Sequence, residues 1–415
     1  MGKVLLATDS YYYSPTANGI CVEEIADELV AMGNDVHVLC FRHKNDLKEE
    51  QINGIKVHRI EMDWVNKLRF LYEKELTGME QSFVKNIMIF LNRLEAVFFI
   101  HWFPMRSPIF CARYKRKMEQ LQNEYGFDTI VASYSPFEAA YALTYMDERI
   151  PVKKCLYTLD SFTNLKKRFF MSREYQERKG WKWERKIYSK CDIILNLKCH
   201  EKHYNKTRYD VFRTKMKIVD IPHMKEYDFG ENLEKEKTLT IMYAGAIRDD
   251  IMPYALTYFE DMMQDDRLVF KLYTRSTVES YKKMINKDAN KNFIANGFVD
   301  RETVLMEERK ADFLLSMGNA NSDFISSKVI ELIATGKSII HIYSYNKDSA
   351  LPYYDIYPNC CCLNINDSVD INKKKIIEFI NSDRKTVPFK ELEKMYYLNS
   401  PKYTAQIISD LEESF

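Results

Sequence analysis

The sequence lacks the features that mark several large classes of protein. Its N-terminus, MGKVLLATDS, contains an apolar run far too short for a signal peptide, and no apolar stretch reaches transmembrane length. The nine cysteines include no CxxC pair, so neither a disulfide framework nor a zinc site is indicated. Lysine plus arginine (61) nearly balances aspartate plus glutamate (60), which argues against a nucleic-acid-binding protein that relies on overall positive charge. We expect a cytoplasmic protein without a nucleic-acid partner.

A dinucleotide-binding fingerprint is also missing. Residues 3–8 predict a strand, and a helix predicted from Gly19 to Gly33 follows it after a loop, but no GxGxxG lies between them. Asn18-Gly19 does place a glycine where a backbone can approach a ligand closely. Glycine before a helix is more often only part of a turn, so both interpretations stay open.

The length of 415 residues predicts two α/β domains rather than one. Strand and helix patterns alternate through both halves, and residues 227–237 are charged and nearly free of apolar side chains. We therefore predict two doubly wound, Rossmann-like domains at residues 1–228 and 229–395. The remaining segment, 396–415, is predicted to form a helix that packs back on the first domain.

The most informative stretch is residues 313–343, whose pattern predicts a strand, a polar loop, a helix and a second strand. Ser326 or Ser327 is suited to cap the helix, and ligands bind where such loops leave a parallel sheet. The helix N-terminus and Lys328 supply positive charge for a phosphate, and Glu331 can accept hydrogen bonds from a ribose diol. The stretch therefore predicts a nucleotide diphosphate site. Lysine and glutamate on a helix are also typical of a solvated face with an i,i+3 pair.

Two further charged side chains follow predicted strands. Arg248 lies just beyond the strand predicted at 239–244 and is suited to hold a phosphate with its bidentate fork. Asp160 lies just beyond the strand predicted at 151–159, at the edge of a parallel sheet where sites are built. Both are candidate site residues.

Residues 64–122 differ in character from the rest of the chain, because bulky apolar side chains alternate there with lysine and arginine clusters. One interpretation is an amphipathic, partly basic surface that rests on an anionic membrane. The other is an ordinary pair of buried helices with basic ends.

With its elements in this order, the chain resembles the retaining GT-B glycosyltransferases, in particular the large bacterial family of capsule, O-antigen and phosphatidylinositol mannosyl transferases. The resemblance covers residues 3–347. Asn18-Gly19 matches the family's glycine loop near the donor diphosphate. Gly245 and Arg248 match the start of its phosphate-binding Gly-Arg…Lys-Gly motif, although the lysine is missing here.

The stretch at residues 313–343 carries the rest of the resemblance. Ser326-Ser327-Lys328 looks like the Pro-Ser-Lys variant of some polysaccharide transferases. The hallmark Glu-x7-Glu of the family is matched by Asp323-x7-Glu331, with aspartate in the first position. The family's role for Glu331 is to bind the ribose, and Asp323 would lie near the donor sugar.

The resemblance implies a GT-B fold, with two Rossmann-like domains facing a central cleft. It implies transfer of a sugar, with retention, from a nucleotide diphosphate sugar to a glycan or lipid-linked acceptor, and a UDP-sugar is the default donor. Arg248 and Lys328 would stabilise charge on the departing diphosphate, and Asp160 falls in the segment that matches acceptor-side residues. No clean Asp-x-Asp motif is present, so we expect no metal and no other cofactor.

Three functions are compatible with these observations. The first is the transferase, cytoplasmic or peripheral at the inner face of the plasma membrane. The second keeps the fold but has another activity, such as a sugar-nucleotide epimerase or a phosphorylase. The third is a non-catalytic partner subunit of a polysaccharide assembly complex, which the missing lysine and Asp323 both favour.

Overall fold

The chain forms two compact units, each built on a sheet. The computed structural model describes residues 2–13, 16–62, 67–68, 84, 86–91, 93–94, 97, 100–105, 107–159, 163, 171–226, 238–275, 278–319, 325–383 and 385–411. The first unit comprises Met1–Pro222 with Pro401–Phe415, and the second comprises His223–Ser400. The prediction of two α/β domains with parallel sheets is confirmed.

The first unit contains an eight-stranded sheet in the order β3-β4-β2-β1-β5-β6-β7-β8. Its strands are β1 (Lys3–Ala7), β2 (Asp35–Arg42), β3 (Glu49–Ile52), β4 (Ile55–Glu61), β5 (Thr129–Ser133), β6 (Lys153–Thr158), β7 (Ile193–Leu197) and β8 (Met216–Val219). All the described pairings are parallel except that of β3 with β4. Strands β5 and β7 are buried along their whole length, as expected where helices cover both faces.

The antiparallel β3–β4 hairpin is an element that the sequence analysis missed. Asn53 and Gly54 form its turn, with φ values of 50° and 85°. A two-residue Asn-Gly turn between strands requires positive φ at both positions and is the strongest short-range hairpin signal. The dipeptide was therefore sufficient to predict the hairpin.

The helices of the first unit that are described in full before the second sheet include α1 (Ala17–Ala31), α2 (Pro108–Tyr125), α3 (Phe137–Tyr145), α4 (Arg173–Lys190) and α5 (Glu201–Tyr204), with 3-10 segments at Ile100–Trp102, Lys198–His200 and Thr207–Lys215. Helix α2 starts with Ser107 as its cap and buries Phe110, Tyr114 and Met118 in the core. For the part of the segment 64–122 that forms α2, the structure therefore supports the interpretation of a buried helix. Much of the remainder lies outside the described residues.

The second unit contains a six-stranded, fully parallel sheet in the order β11-β10-β9-β12-β13-β14. Its strands are β9 (Leu239–Ala244), β10 (Leu268–Tyr273), β11 (Phe293–Gly297), β12 (Phe313–Met317), β13 (Ser338–Tyr343) and β14 (Cys360–Asn364). Successive strands are added outward from β9 on one side and from β12 on the other. The strand order thus reverses between β9 and β12.

The helices that follow are α6 (Met252–Gln264), α7 (Glu279–Lys282), α8 (Lys287–Asn290), α9 (Arg301–Lys310), α10 (Lys328–Ala334), α11 (Leu351–Tyr354), α12 (Val369–Asn381), α13 (Phe389–Met395) and α14 (Pro401–Ser409), with a 3-10 segment at Tyr397–Asn399. Helix α14 belongs to the first unit and packs on α1. The Asn34 amide lies 3.5 Å from the Ser409 hydroxyl, and the buried Ile408 lines the same small void as Val22 and Ile25.

Candidate active site

Two loops meet at the carboxyl edge of the second sheet, where the strand order reverses between β9 and β12. Ligands of open α/β sheets bind at this position, because loops leave the two strands in opposite directions. The loop after β9 contains Gly245 and Arg248, and the loop after β12 begins at Gly318. Nη1 of Arg248 donates to the carbonyl oxygen of Gly318 over 2.6 Å, so the two loops are joined directly.

The other nitrogens of Arg248 hold Asp250. Nε donates to Oδ1 over 2.9 Å and Nη2 to Oδ2 over 2.7 Å, a bidentate pair. The guanidinium holds the pKa of the Asp250 carboxyl below its usual range. The fork that the sequence analysis assigns to phosphate is therefore occupied by a carboxylate. A phosphate would have to displace Asp250 to use it.

A buried carboxylate holds the first described residues after β12. Oδ2 of Asp348 accepts from the Asn319 backbone N–H over 2.6 Å, and Oδ1 accepts from the Ala350 N–H over 2.8 Å. Burial raises the pKa of this carboxyl. Gly318 lies so close to it that a Cβ would overlap Asp348 Oδ2 and fall 2.7 Å from the Cβ of Tyr343. Only glycine fits there.

Four charged side chains surround the start of α10. The Lys328 ammonium lies 3.3 Å from Oε1 of Glu308, on α9, and Oε2 of Glu331 lies 3.7 Å from Nη2 of Arg301. The Lys328 side chain is 34% exposed, whereas that of Glu308 is 2% exposed. The lysine is thus the accessible member of its ion pair.

The charges of this cluster shift one another's pKa values. Burial raises the pKa of the Glu308 carboxyl, and the Lys328 ammonium opposes that rise. Burial works to lower the pKa of Lys328, but the carboxylates of Glu308 and Glu331 outweigh it and the net shift is upward. Lys328 therefore stays charged at neutral pH.

Glu308 was missed by the sequence analysis, which considered only an i,i+3 contact between Lys328 and Glu331. Its Oε2 atom is buried and has no hydrogen-bond partner in the described part of the chain. Buried polar atoms are almost always paired, so an unpaired carboxylate oxygen needs an explanation. Glu308 lies twenty positions before Lys328 in the chain, and no local spacing rule connects them.

The predicted serine cap of α10 is wrong. Ser327 occupies the cap position, but its side chain makes no capping hydrogen bond. Its backbone is already helical, at φ −56° and ψ −28°, whereas a capping hydroxyl reaches the first turn from an extended backbone. Ser326 contributes its carbonyl oxygen, which accepts from the Val329 N–H over 3.0 Å.

The first unit has a corresponding reversal of strand order, between β1 and β5. Nδ2 of Asn18 donates to the carbonyl oxygen of Ser135 over 3.4 Å and so joins the first turn of α1 to the loop after β5. Helix α1 begins at Ala17 rather than at Gly19, because the Thr16 hydroxyl accepts from the Gly19 N–H over 3.1 Å and caps it. Gly19 is buried in the first turn of α1.

A partly buried carboxylate also organises the loop after β1. Oδ1 of Asp9 accepts from the Thr16 hydroxyl and from the Ser10 N–H, each over 2.7 Å. Burial raises the pKa of Asp9. Asp9 directly follows the strand predicted at residues 3–8.

Two predicted catalytic carboxylates, Asp160 and Asp323, lie outside the described residues. Thr163, in the loop after β6, is described. Its hydroxyl lies 3.1 Å from Oε2 of Glu184, which is fully buried and also accepts from the Tyr209 hydroxyl over 2.7 Å. Nε2 of His203 lies 2.8 Å from the same threonine oxygen. A polar network therefore holds Thr163, the one described residue of the segment 160–170.

Among the residues that the structure describes, no helix combines the length and the apolarity needed to span a bilayer. Within those same ranges, no group of three or more histidine, cysteine, aspartate or glutamate side chains is arranged to hold a metal ion.

Comparison with solved structures identifies the fold. The chain is similar to a trehalose-6-phosphate synthase of E. coli bound with UDP-2-fluoro glucose, at 9% identity and a TM-score of 0.59 over 100% of this chain and 99% of that one. It is similar to the catalytic domain of starch synthase IV from Arabidopsis thaliana bound to ADP and acarbose, at 10% identity and a TM-score of 0.57 over 99% and 98% of the two chains. It is also similar to WaaG, a glycosyltransferase involved in lipopolysaccharide biosynthesis, at 11% identity and a TM-score of 0.52 over 99% of this chain and 97% of that one. The chain has the GT-B fold.

The GT-B fold predicted from the sequence is thus confirmed. No protein-family model and no curated protein sequence matches the chain. At identities of 9% to 11% the likeness establishes the GT-B fold, and the activity has to be argued from the residues of the site.

Proposed function

We propose that this GT-B protein is a glycosyltransferase that moves a sugar, with retention, from a nucleotide diphosphate sugar to a glycan or lipid-linked acceptor in bacterial surface polysaccharide synthesis. The observation that carries the proposal is the partly exposed ammonium of Lys328 beside the strand-order reversal of the second sheet. A Cβ built on Gly245 would lie 4.0 Å from Cδ of Lys328, so the lysine stem reaches the loop after β9. A diphosphate there would meet a full positive charge.

The proposed donor contacts follow from this position. Lys328 binds the diphosphate, with backbone groups of Gly245 and of Ser326-Ser327 beside it. Glu331 binds the ribose diol, which requires its carboxylate to share or leave Arg301. The solved neighbours hold a UDP-sugar in one case and ADP in another, which supports a nucleoside diphosphate and leaves UDP as the default.

The remaining candidate residues complete the site in this proposal. Asp323 lies near the donor sugar, Asp160 on the acceptor side, and Asn18-Gly19 close to the diphosphate. Departure of the diphosphate is the difficult step. Lys328, and Arg248 once it is freed from Asp250, stabilise the charge that develops there. The leaving phosphate itself takes the acceptor's proton, so neither a dedicated protein base nor a metal is required.

Nucleotide binding tests the function. We expect calorimetry with UDP, GDP, ADP and CDP to find one tight ligand, equally well bound in EDTA and in magnesium. Glu331→Ala is expected to weaken that binding more than about tenfold, or 1.4 kcal/mol, because it removes the ribose acceptor. The matched control is Glu302→Gln, an exposed residue of α9, which should bind as the wild type does. Unchanged affinity in Glu331→Ala would remove the ribose assignment, and no binding of any nucleotide would remove the transferase.

A non-catalytic partner subunit is the second candidate, and one observation favours it. Asp250 forms a bidentate pair with the Arg248 guanidinium. It lies in the region where the Gly-Arg…Lys-Gly motif of the transferases has its lysine. Such a subunit would bind neither donor nor acceptor productively. Turnover of the nucleotide sugar found by the binding screen decides between the two.

We also propose that the first unit rests on an anionic membrane surface. Trp102 and Ile109 are 51% and 75% exposed. Trp102 lines a groove of about 380 Å³ with Lys182 and Lys186. Exposed large apolar side chains beside lysines are typical of surfaces that lie at the headgroup level of anionic bilayers.

Vesicle co-sedimentation tests this contact. We expect the protein to pellet with anionic but not with neutral vesicles, and the double variant Trp102→Ala/Lys182→Glu to pellet less. Lys347→Glu, an exposed position of the second unit, is the matched control and should pellet as the wild type does. Absence of the wild type from both pellets would favour the buried-helix interpretation throughout the segment.

A further inference from the structure

The ion pair between Lys328 and Glu308 joins an accessible cation to an inaccessible anion. Its Lys328 member is 34% exposed and can be reached by a ligand, whereas Glu308 is 2% exposed and cannot. Helix α9 sets this arrangement, since Leu305 and Glu308 lie on one face of it and both are buried. Any anion that binds the Lys328 ammonium therefore competes with a carboxylate that stays inside the protein.

The charges that act most strongly on Glu308 belong to three of the described residues. They are Lys328 and Glu331 of α10 and Arg301 of its own helix. Arg301 lies 3.7 Å from the Glu331 carboxylate, and that carboxylate raises the negative charge around Glu308 rather than reducing it. One Glu308 oxygen already lacks a partner among the described residues. If the ammonium moves outward, a buried charge is left unpaired, which is strongly unfavourable.

We propose that Glu308 is the resident counter-ion of Lys328 and takes up a proton from solvent when a nucleotide diphosphate draws the ammonium away. The inference rests on the proposed function, since it requires the diphosphate to bind at Lys328. One proton is added to the carboxylate, no other bond is made or broken, and the buried glutamate becomes neutral. The protein thus replaces an internal ion pair by an external one without leaving a bare charge inside.

The sign of the pH dependence follows from proton uptake. Burial already raises the pKa of Glu308, and Lys328 is the group that holds it down, so moving the ammonium raises the pKa further. A ligand whose binding adds a proton binds more tightly at low pH, and its affinity falls as the pH rises through the pKa of the free protein. Nucleotide affinity should therefore decline through the neutral range.

Calorimetry in two buffers measures the proton directly. UDP and ADP are titrated into wild type, Glu308→Gln and the control Glu302→Gln, in PIPES and in Tris, at about pH 7.5, where both carboxylate states of Glu308 are accessible. The difference in binding enthalpy between the two buffers gives the number of protons taken up on binding. For the wild type and the control we expect this number to exceed that of Glu308→Gln by on the order of half a proton. The difference between variants cancels the ionisation of the nucleotide's own phosphate.

Affinity provides the second readout. Glutamine keeps the size of Glu308 but not its charge, so Glu308→Gln should bind at least as tightly as the wild type at alkaline pH. A merely structural role would instead weaken binding at every pH. Buffer-independent binding that is equal in wild type and Glu308→Gln would overturn the inference and leave the proposed function standing. No nucleotide binding by the wild type would remove the proposed function and the inference together.

Discussion

Replacing Lys328 by methionine is expected to lower kcat by about 10²–10³-fold, because one of the charges that stabilise the departing diphosphate is lost. Methionine keeps most of the apolar stem, so the contact with the loop after β9 is retained. The rate is measured as release of nucleoside diphosphate from the nucleotide sugar that the binding screen identifies. Lys347→Met, at an exposed position of the same unit, is the matched control and should keep the wild-type rate.

Loss of folding has to be separated from loss of chemistry in this experiment. Removing the ammonium leaves Glu308 buried and unpaired, so Lys328→Met alone is expected to be less stable. The double variant Lys328→Met/Glu308→Gln removes both charges and should melt closer to the wild type while remaining as inactive as the single variant. A folded Lys328→Met protein with a rate within about tenfold of the wild type would contradict the assigned role.

Gly318→Ala is expected to destabilise the second unit by about 3 kcal/mol, because overpacking forces neighbouring atoms to move. The added Cβ would overlap the Asp348 carboxylate and lie 3.1 Å from the Cα of Tyr343, which strand β13 holds in place. For a unit of this size the midpoint of thermal unfolding should fall by about 6–12 °C. The Gly318 carbonyl also accepts the Arg248 hydrogen bond, so nucleotide binding should weaken in the fraction that stays folded.

Gly297→Ala is the control that separates crowding from backbone strain. Gly297 has a φ of 70°, but a Cβ added to it would meet no atom within 4 Å, so alanine there incurs only the conformational penalty of about 1–2 kcal/mol. Melting is followed by circular dichroism in both variants. Equal melting of Gly318→Ala and wild type would show that the loop after β12 is not held as the contacts of Asp348 indicate.

Much of the secondary structure was predictable because local signals agree with one another. The strands at Leu268–Tyr273 and Ser338–Tyr343 are short apolar runs with polar boundaries, and helix α9 begins after an aspartate cap, Asp300. Strand β11 is harder to predict, because Asn296-Gly297 is a typical turn dipeptide and yet both residues belong to the strand. Gly297 pairs with Tyr273 of β10 across an irregularity in the register.

The site was predictable only where its residues act through local chain geometry. Arg248 was found because it follows a strand, and Lys328 because it begins a helix. Its partner Glu308 comes from a preceding helix, and the strand β12 lies between them. Asp348 likewise fixes Gly318 through space. Such pairings depend on how helices are placed around the sheet, which no spacing in the sequence encodes.

The position of helix α14 in the chain affects the order in which the two units can complete folding during synthesis. Most of the first unit is synthesised before the second, but the surface of α1 that packs against α14 stays uncovered until the residues of α14 have left the ribosome. The second unit, His223–Ser400, is continuous and can fold during synthesis. Synthesis of the first unit therefore begins before that of the second unit and is completed after it, by helix α14.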